Sequence, residues 1–325
     1  MVGRRLVECL GAGCFDLYPS DSPPTDGDAQ RWSGFLSRYA QAQEMVEHDF
    51  PPQLDIELNR ACNFACSFCE HGHKKFKNKK LGFDTYKRLI DEASSYGLVS
   101  LKLNYINEPL LIRDLEKYIE YAKSKGVLNV YLSTNGSLLT RDRSVSLIEA
   151  GLSKLMVSLD ATTSDMFFEM RQSKDFDRIE KNIHAFVEER DKRGLSFPLL
   201  RVNFLKTAKN ESQALDFMMR WESVADMVWF QEQHAVPGVE QDLLVYTDRD
   251  DFKCKTPFKL MVVDSLGDII PCCTFQGRSM KVGNVSSMTL KEAWDSSAFK
   301  GLRSLHMAGD YKKNPLCVEC VNGCA

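Results

Sequence analysis

The sequence lacks any long hydrophobic run. Hydrophobic residues make up 43% of the 325 residues, but the longest apolar stretches, such as GLVSLKL and LMVVD, are far too short to cross a bilayer. The N-terminus lacks the apolar core and cleavage site of a secretion signal. A net charge of -3 shows no basic excess, which disfavours a nucleic-acid binder. We therefore expect a globular cytoplasmic protein that binds neither membranes nor nucleic acids.

Cysteine is missing between residues 70 and 253, although the chain contains 11 cysteines. Cys9 and Cys14 lie in an N-terminal stretch rich in Pro, Asp and Ser. The others form a group on each side of the gap: Cys62, Cys66 and Cys69, then Cys254, Cys272, Cys273, Cys317, Cys320 and Cys324. Because disulfides rarely persist in a reducing compartment, metal binding is the leading use for both groups.

The middle of the chain alternates between strand and helix patterns. Strands are predicted at QLDIEL, VSLKLN, VLNVYLST, LSKLMVSLD, LLRVNFL and ADMVWF, with helical patterns between them. This order implies parallel strands with right-handed crossovers. About six such units predict an α/β fold, a partial (β/α)6 barrel whose active groups lie at the C-terminal ends of the strands. We expect the barrel at 51–240, an N-terminal cover at 1–50, and a small cysteine-rich α+β extension at 241–325.

The first cysteine group, in RACNFACSFCEHGH, has CxxxCxxC spacing directly after the first strand. Three thiolates on a [4Fe-4S] cluster leave one iron open for a small molecule. S-adenosylmethionine can bind such an iron through its amine and carboxylate, and the reduced cluster can supply it with an electron. A zinc site completed by His71 or His73 is the alternative.

At this point the sequence resembles the radical SAM superfamily over most of residues 52–325. Phe68 has the aromatic place inside the cysteine motif, NYINEP resembles the strand end that meets the cofactor's amino group, and STNG and SLD resemble later strand ends. The resemblance implies that the cofactor is bound by Phe68, Asn107, Glu108, Ser133, Asn135, Ser158, Asp160 and Arg171. Individually, NEP and NG are also common turn sequences, and Arg171 could be a solvated helix residue.

The C-terminal cysteines surround a predicted hairpin of KLMVVD with DIIPC, turning at Gly267. Four thiolates there can converge on one metal centre, either zinc or iron and sulfur. The pattern resembles the SPASM/Twitch extension of radical SAM enzymes, which implies one auxiliary [4Fe-4S] cluster. Its expected ligands are Cys254, Cys272, Cys317 and Cys320. Cys273 and Cys324 remain as core residues, alternative ligands or hydrogen donors.

An extension of this size is similar to that of the aminocyclitol dehydrogenase of butirosin biosynthesis and the related aminoglycoside epimerase. The resemblance implies oxidation of an alcohol to a ketone on a small polar substrate, with the auxiliary cluster as electron acceptor. Glu232 or His234, beyond the sixth strand, is a candidate general base. An epimerase would instead need a hydrogen donor, for which Cys324 and Cys273 are candidates.

Further alternatives stay open. A peptide maturase would act on a peptide substrate, and a zinc scaffold or an electron carrier would catalyse no reaction of its own. For the enzyme, we expect a reducing electron donor such as flavodoxin or ferredoxin as partner.

Overall fold

The structure is a computed structural model that describes residues 28–234, 236–239 and 252–322. Its first six strands are β1 Gln53–Ile56, β2 Ser100–Lys102, β3 Asn129–Thr134, β4 Lys154–Ser158, β5 Leu199–Lys206 and β6 Met227–Glu232. Helices precede or connect them: α1 Ala29–Gln43, α2 Glu70–His73, α3 Phe83–Ser95, α4 Leu115–Ser124, α5 Arg141–Glu149, α6 Ser164–Arg171, α7 Phe176–Lys192 and α8 Ala214–Trp221. The predicted alternation of strands and helices is confirmed.

The C-terminal part adds three short strands and four helices. These are α9 Thr256–Lys259, β7 Leu260–Val263, β8 Asp268–Ile270, β9 Gly283–Asn284, α10 Leu290–Trp294, α11 Ser297–Met307 and α12 Pro315–Asn322. β7 and β8 form the predicted antiparallel hairpin. Gly267 has a φ of +81° in its turn, a conformation that side chains other than glycine rarely adopt.

All nine strands belong to one sheet, in the order β6-β5-β4-β3-β2-β1-β7-β8-β9. The pairs from β6 to β7 are parallel, as the barrel prediction requires. One feature was not predicted: β7 pairs with β1 along its full length, from Leu260 opposite Gln53 to Val263 opposite Ile56. The extension therefore continues the barrel sheet, and its cysteines approach the end of β1.

The two faces of the sheet differ in polarity. Alternate residues such as Leu101, Val130 and Leu155 join the hydrophobic core. The intervening positions, such as Lys102 and Tyr131, line an internal cavity. Because side chains alternate along a strand, the sequence places polar groups inside the barrel and apolar groups under the helices.

Helix α1 packs against the N-terminal edge of the barrel. Its Trp32, Phe35 and Tyr39 form one cluster with Val99, Leu128 and Leu199, which lie at or next to the starts of β2, β3 and β5. This is the position expected of a cover, although residues 1–27 lie outside the described part. The domain boundaries at 50 and 240 stay predictions. No helix within the described ranges is long and apolar enough to cross a membrane.

Candidate active site

The three cysteines of the first group follow β1 in a tightly folded loop. Cys69 N donates to Cys66 O at 3.1 Å, and Gly72 N donates to Cys69 O at 2.9 Å. A Cβ on Gly72 would lie 2.3 Å from Cys66 O, so the loop requires glycine there. The loop is tied to the end of α6, because the backbone and hydroxyl of Ser67 both contact Met170 O.

This loop forms one wall of a cavity of about 270 Å³. Every residue that the sequence analysis assigns to the cofactor lines this cavity together with the three cysteines: Phe68, Asn107, Glu108, Ser133, Asn135, Ser158, Asp160 and Arg171. Phe68 lies in the cysteine loop after β1, and the others lie beyond the C-terminal ends of β2, β3 and β4 or on α6. Parallel strands place these ends on one edge, as the prediction assumed.

Glu108 is buried and holds the ends of two strands together. Its carboxylate accepts hydrogen bonds from Thr134 Oγ1 at 2.7 Å, Asn135 N at 2.7 Å and Leu110 N at 3.0 Å. Burial raises the pKa of Glu108, and these donors oppose the rise. A carboxylate accepts about four hydrogen bonds, so one acceptor position is left for a cofactor amine.

Arg171 also has an internal partner. One terminal nitrogen is ion-paired with the buried Asp160 carboxylate, and the other lies 3.9 Å from Cys66 Sγ. The guanidinium lies over the Phe68 ring, 5.4 Å from its centre. Its Nε is buried without a hydrogen-bond partner among the described residues. The unused donor beside the thiols fits an anionic group of the cofactor.

The zinc alternative fits the first group less well. His71 Nε2 lies 3.0 Å from Ile106 O, and His73 Nε2 lies 2.7 Å from Ser67 O. If Nε2 donates to the carbonyl in each ring, only Nδ1 is left to bind a metal. Nowhere in the described ranges do three metal-binding side chains gather closely enough for one ion. A [4Fe-4S] cluster does not require the three thiols to meet at one ion, because each thiolate binds a different iron.

A second cavity, of about 340 Å³, fills the barrel interior. It is lined at one end by all four predicted auxiliary ligands: Cys254, Cys272, Cys317 and Cys320. Cys324 lies outside the described residues, whereas Cys273 lines both cavities.

The sequence analysis missed His306, which lies between two of these cysteines. Its Nδ1 accepts from Cys254 N at 3.2 Å, and its Nε2 lies 3.6 Å from Cys317 Sγ. Because Nδ1 accepts this hydrogen bond, the proton of the neutral ring lies on Nε2, which faces Cys317 Sγ. Burial lowers the pKa of His306 to about 4, so the ring is neutral. A histidine on a buried helical face eleven residues before a CxxC pair was the available signal.

The two cavities meet. Ser158, Asn203, His234 and Cys273 line both of them, and Glu232 lines the larger one. The predicted general-base candidates therefore lie beside the space that joins the two cysteine sites.

Two family models match the chain. The Radical SAM superfamily model covers residues 56–199, and the SPASM model, an iron-sulfur cluster-binding domain, covers residues 254–321. The chain therefore contains a Radical SAM domain and a SPASM domain, and these two domains support S-adenosylmethionine and two [4Fe-4S] clusters as cofactors.

Curated relatives and solved structures also resemble the chain. The S-adenosyl-L-methionine-dependent 2-deoxy-scyllo-inosamine dehydrogenase of Niallia circulans is 22% identical over 83% of this chain and 92% of its own length. The Fe-coproporphyrin III synthase of Methanosarcina barkeri (strain Fusaro / DSM 804) is 31% identical over 58% of this chain, which spans only 46% of that relative.

Among solved structures, BtrN in complex with AdoMet and 2-DOIA matches with a TM-score of 0.57 and 20% identity, covering 85% of this chain and 95% of BtrN. Streptococcus suis SuiB matches with a TM-score of 0.64 and 18% identity, covering 86% and 74%. At these identities the likeness shows the fold alone.

Proposed function

We propose that this enzyme oxidises an alcohol of a small polar, carbohydrate-like or cyclitol-like substrate to a ketone. One observation carries the proposal: a polar space connects the CxxxCxxC loop with the four C-terminal cysteines. A substrate held there lies between a site of hydrogen abstraction and a site that can accept an electron. The dehydrogenase of Niallia circulans, named for 2-deoxy-scyllo-inosamine, supports this reaction type.

The cofactor-binding residues have distinct roles in the proposal. When bound, S-adenosylmethionine and the first cluster supply a 5'-deoxyadenosyl radical, and the second cluster accepts one electron. Glu108 offers its remaining acceptor position to the cofactor's amine. Arg171 directs its free Nε toward the cofactor's carboxylate. Phe68, held against the Arg171 guanidinium, packs beside the adenine.

Conversion of the alcohol requires the loss of a hydrogen atom from carbon, a proton from oxygen and one electron. We assign the proton to Glu232 or His234, which lie where the cavities meet or next to that point. Cys254, Cys272, Cys317 and Cys320 would hold the centre that accepts the electron. His306 orients two of these ligands, since it contacts Cys254 N and Cys317 Sγ.

A specific observation supports epimerisation as the second candidate. Cys273 lines both cavities, so its thiol borders the space in which a substrate radical would form. Burial raises the pKa of this thiol to about 12 and keeps its S–H bond in place. A thiol in that position can return a hydrogen atom to the opposite face of a carbon radical.

We further propose that the reducing donor docks on the basic loop after the first cysteines. Four of its side chains are exposed and form no ion pair with another described residue: Lys75, Lys77, Lys79 and Lys80. The segment begins only six residues after Cys69. An acidic donor such as a flavodoxin complements this charge and would be brought close to the first cluster.

The proposed function is tested by anaerobic turnover of the reconstituted enzyme with a panel of neutral, amino-substituted and acidic cyclitols and sugars. We expect one substrate to give a ketone, trapped as its oxime, in equal amount with 5'-deoxyadenosine. A product of inverted configuration without a ketone would favour the epimerase. Stoichiometric zinc in place of iron would contradict both the dehydrogenase and the epimerase.

A further inference from the structure

The four thiols at one end of the larger cavity lie close enough together to act on one another. Burial raises the pKa of Cys254, Cys272 and Cys317, and the charge of Cys320 adds to the rise in each case. Cys272 is 8% exposed and Cys317 is 7% exposed. Four buried thiols that share one end of a cavity are a donor set that fits a [4Fe-4S] cluster.

Thr274 is placed to donate two hydrogen bonds to Cys272. The Thr274 N–H donates to Cys272 Sγ at 3.5 Å, and the Thr274 hydroxyl lies 3.1 Å from the same sulfur. A thiolate that is bound to iron carries no proton, so the hydroxyl is then the donor. Thr274 is also fixed from its other side, because Tyr105 Oη donates to Thr274 O.

Cys254 has the same arrangement with Thr256. Hydrogen bonds from the hydroxyl and the backbone N–H of Thr256 oppose the rise that burial causes in the pKa of Cys254. Thr256 is 6% exposed and lines the larger cavity. The segments CKT and CCT therefore each place a threonine two residues after a cysteine of this site.

His306 supplies the donor at a third cysteine. Its Nδ1 accepts from Cys254 N, which leaves the ring N–H on Nε2, 3.6 Å from Cys317 Sγ. His306 is 2% exposed, and Cys317 packs in an apolar cluster with Leu302 and Val321. Because little water reaches this sulfur, the imidazole takes the place of solvent as its hydrogen-bond donor.

Hydrogen bonds to thiolate ligands change the reduction potential of an iron-sulfur cluster. Reduction adds one negative charge, so donors that point at the sulfur ligands stabilise the reduced form more than the oxidised form. The effect is larger in a buried site, where water does not screen it. Donors at three of the four cysteines therefore favour a raised potential.

The first cysteine group has a different set of donors. Cys62 and Cys69 each receive a backbone hydrogen bond, from Phe64 and His71 respectively. The two threonine hydroxyls and the imidazole belong to the C-terminal site. Substituting these side chains should therefore change one cluster and leave the other as it is.

We propose that Thr256, Thr274 and His306 raise the reduction potential of the auxiliary cluster through hydrogen bonds to its thiolate ligands. They are positioning residues, because they act through the cysteines. The inference rests on the proposed function, in which the substrate radical loses one electron to this cluster and its hydroxyl proton to the general base. It goes further by naming the side chains that make the cluster a better electron acceptor.

The test is a potentiometric titration of the anaerobic holoenzyme without substrate, followed by electron paramagnetic resonance. The first cluster is recognised by the change in its signal when S-adenosylmethionine is added. Thr274→Val and Thr256→Val each remove a hydroxyl and keep the size of the side chain. We expect each to disfavour the reduced auxiliary cluster about tenfold, a fall of about 59 mV for one electron, and to leave the first cluster unchanged.

Conservative variants separate this effect from a general loosening of the site. Thr274→Ser and Thr256→Ser keep the hydroxyl and should keep the potential of the unaltered enzyme. His306→Phe removes the ring donor and should lower the potential as the valine variants do. The matched control is Thr140→Val, since the Thr140 hydroxyl accepts from Arg143 N at 3.2 Å and lines neither cavity. An iron content of roughly eight atoms per chain shows that a variant holds both clusters.

Equal auxiliary-cluster potentials in the valine and serine variants would overturn the inference. A shift of both clusters by the same amount would overturn it as well, because the effect would then not come from hydrogen bonds at one site. Since the titration needs no substrate, its outcome is separate from that of the proposed function. A lowered potential in the valine variants of an enzyme that forms no ketone would sink only the dehydrogenase proposal.

Discussion

The Arg171 guanidinium is ion-paired with the Asp160 carboxylate in the wall of the cofactor cavity. Asp160 has a φ of +64°, and its second oxygen accepts from Leu205 N at 2.8 Å. The carboxylate is thereby fixed to β5 and holds the arginine over Phe68. The cofactor binding that we propose for Arg171 then depends on Asp160, which lies beyond the end of β4.

Asp160→Asn should destabilise the enzyme and weaken cofactor binding. Removing one member of a buried ion pair costs about 3 kcal/mol or more, so Tm should fall by several degrees. The affinity for S-adenosylmethionine should fall as well, measured by calorimetry on the holoenzyme. Asp165→Asn, an exposed change on α6, the helix that carries Arg171, is the control. If both variants bind the cofactor equally, Asp160 has no positioning role.

The sequence predicted much of the barrel, and the residues that it assigned to the cofactor line one cavity. Strand alternation and the cysteine motif are local patterns, and parallel pairing brings their ends together. It did not predict the pairing of β7 with β1, because a strand's neighbour is not encoded in its own periodicity. The Asp160–Arg171 pair was missed because the resemblance assigned both residues to the cofactor.

Two buried charged side chains on the strands were also missed, although the sequence carried a signal for them. Lys154 and Arg201 interrupt the apolar strands LSKLMVSLD and LLRVNFL. A charged residue inside a strand that is otherwise apolar indicates an inward-facing polar position. Which residues lie beside such side chains depends on the neighbouring strands, and this required the register.

Changing Cys62, Cys66 and Cys69 together to alanine should remove one cluster and leave the other. Iron content should fall from roughly eight to roughly four atoms per chain. Formation of 5'-deoxyadenosine should stop, because no iron remains for the cofactor. Electron paramagnetic resonance of the reduced protein should still show the C-terminal cluster. A triple variant that forms 5'-deoxyadenosine would refute the assignment of this loop.

Changing Cys317 and Cys320 to alanine should separate abstraction from oxidation. Ketone formation should be lost, since the electron has no acceptor, while 5'-deoxyadenosine is still formed if the extension folds. His306→Gln is the milder variant, which keeps all four thiols and should slow ketone formation more than cofactor cleavage. Normal ketone yield in the double variant would exclude the electron-acceptor role.

Reversing charge on the basic loop should weaken reduction by an acidic protein donor. For Lys75→Glu combined with Lys77→Glu, we expect KM for flavodoxin to rise about tenfold at low salt, with a smaller effect at high salt. Activity driven by dithionite should not change. Lys181→Glu, exposed on α7, is the control for a charge reversal outside this loop. Equal flavodoxin kinetics in all variants would place the docking surface elsewhere.

The central claim is that the substrate radical is oxidised rather than quenched. It is tested most directly by product analysis in deuterated buffer, with a substrate deuterated at the reacting carbon. The account predicts a ketone, deuterium transferred to 5'-deoxyadenosine, and the same outcome in Cys273→Ala and Cys324→Ala. An inverted alcohol with solvent deuterium fixed at that carbon, lost when Cys273 or Cys324 is changed, would contradict it and establish the epimerase.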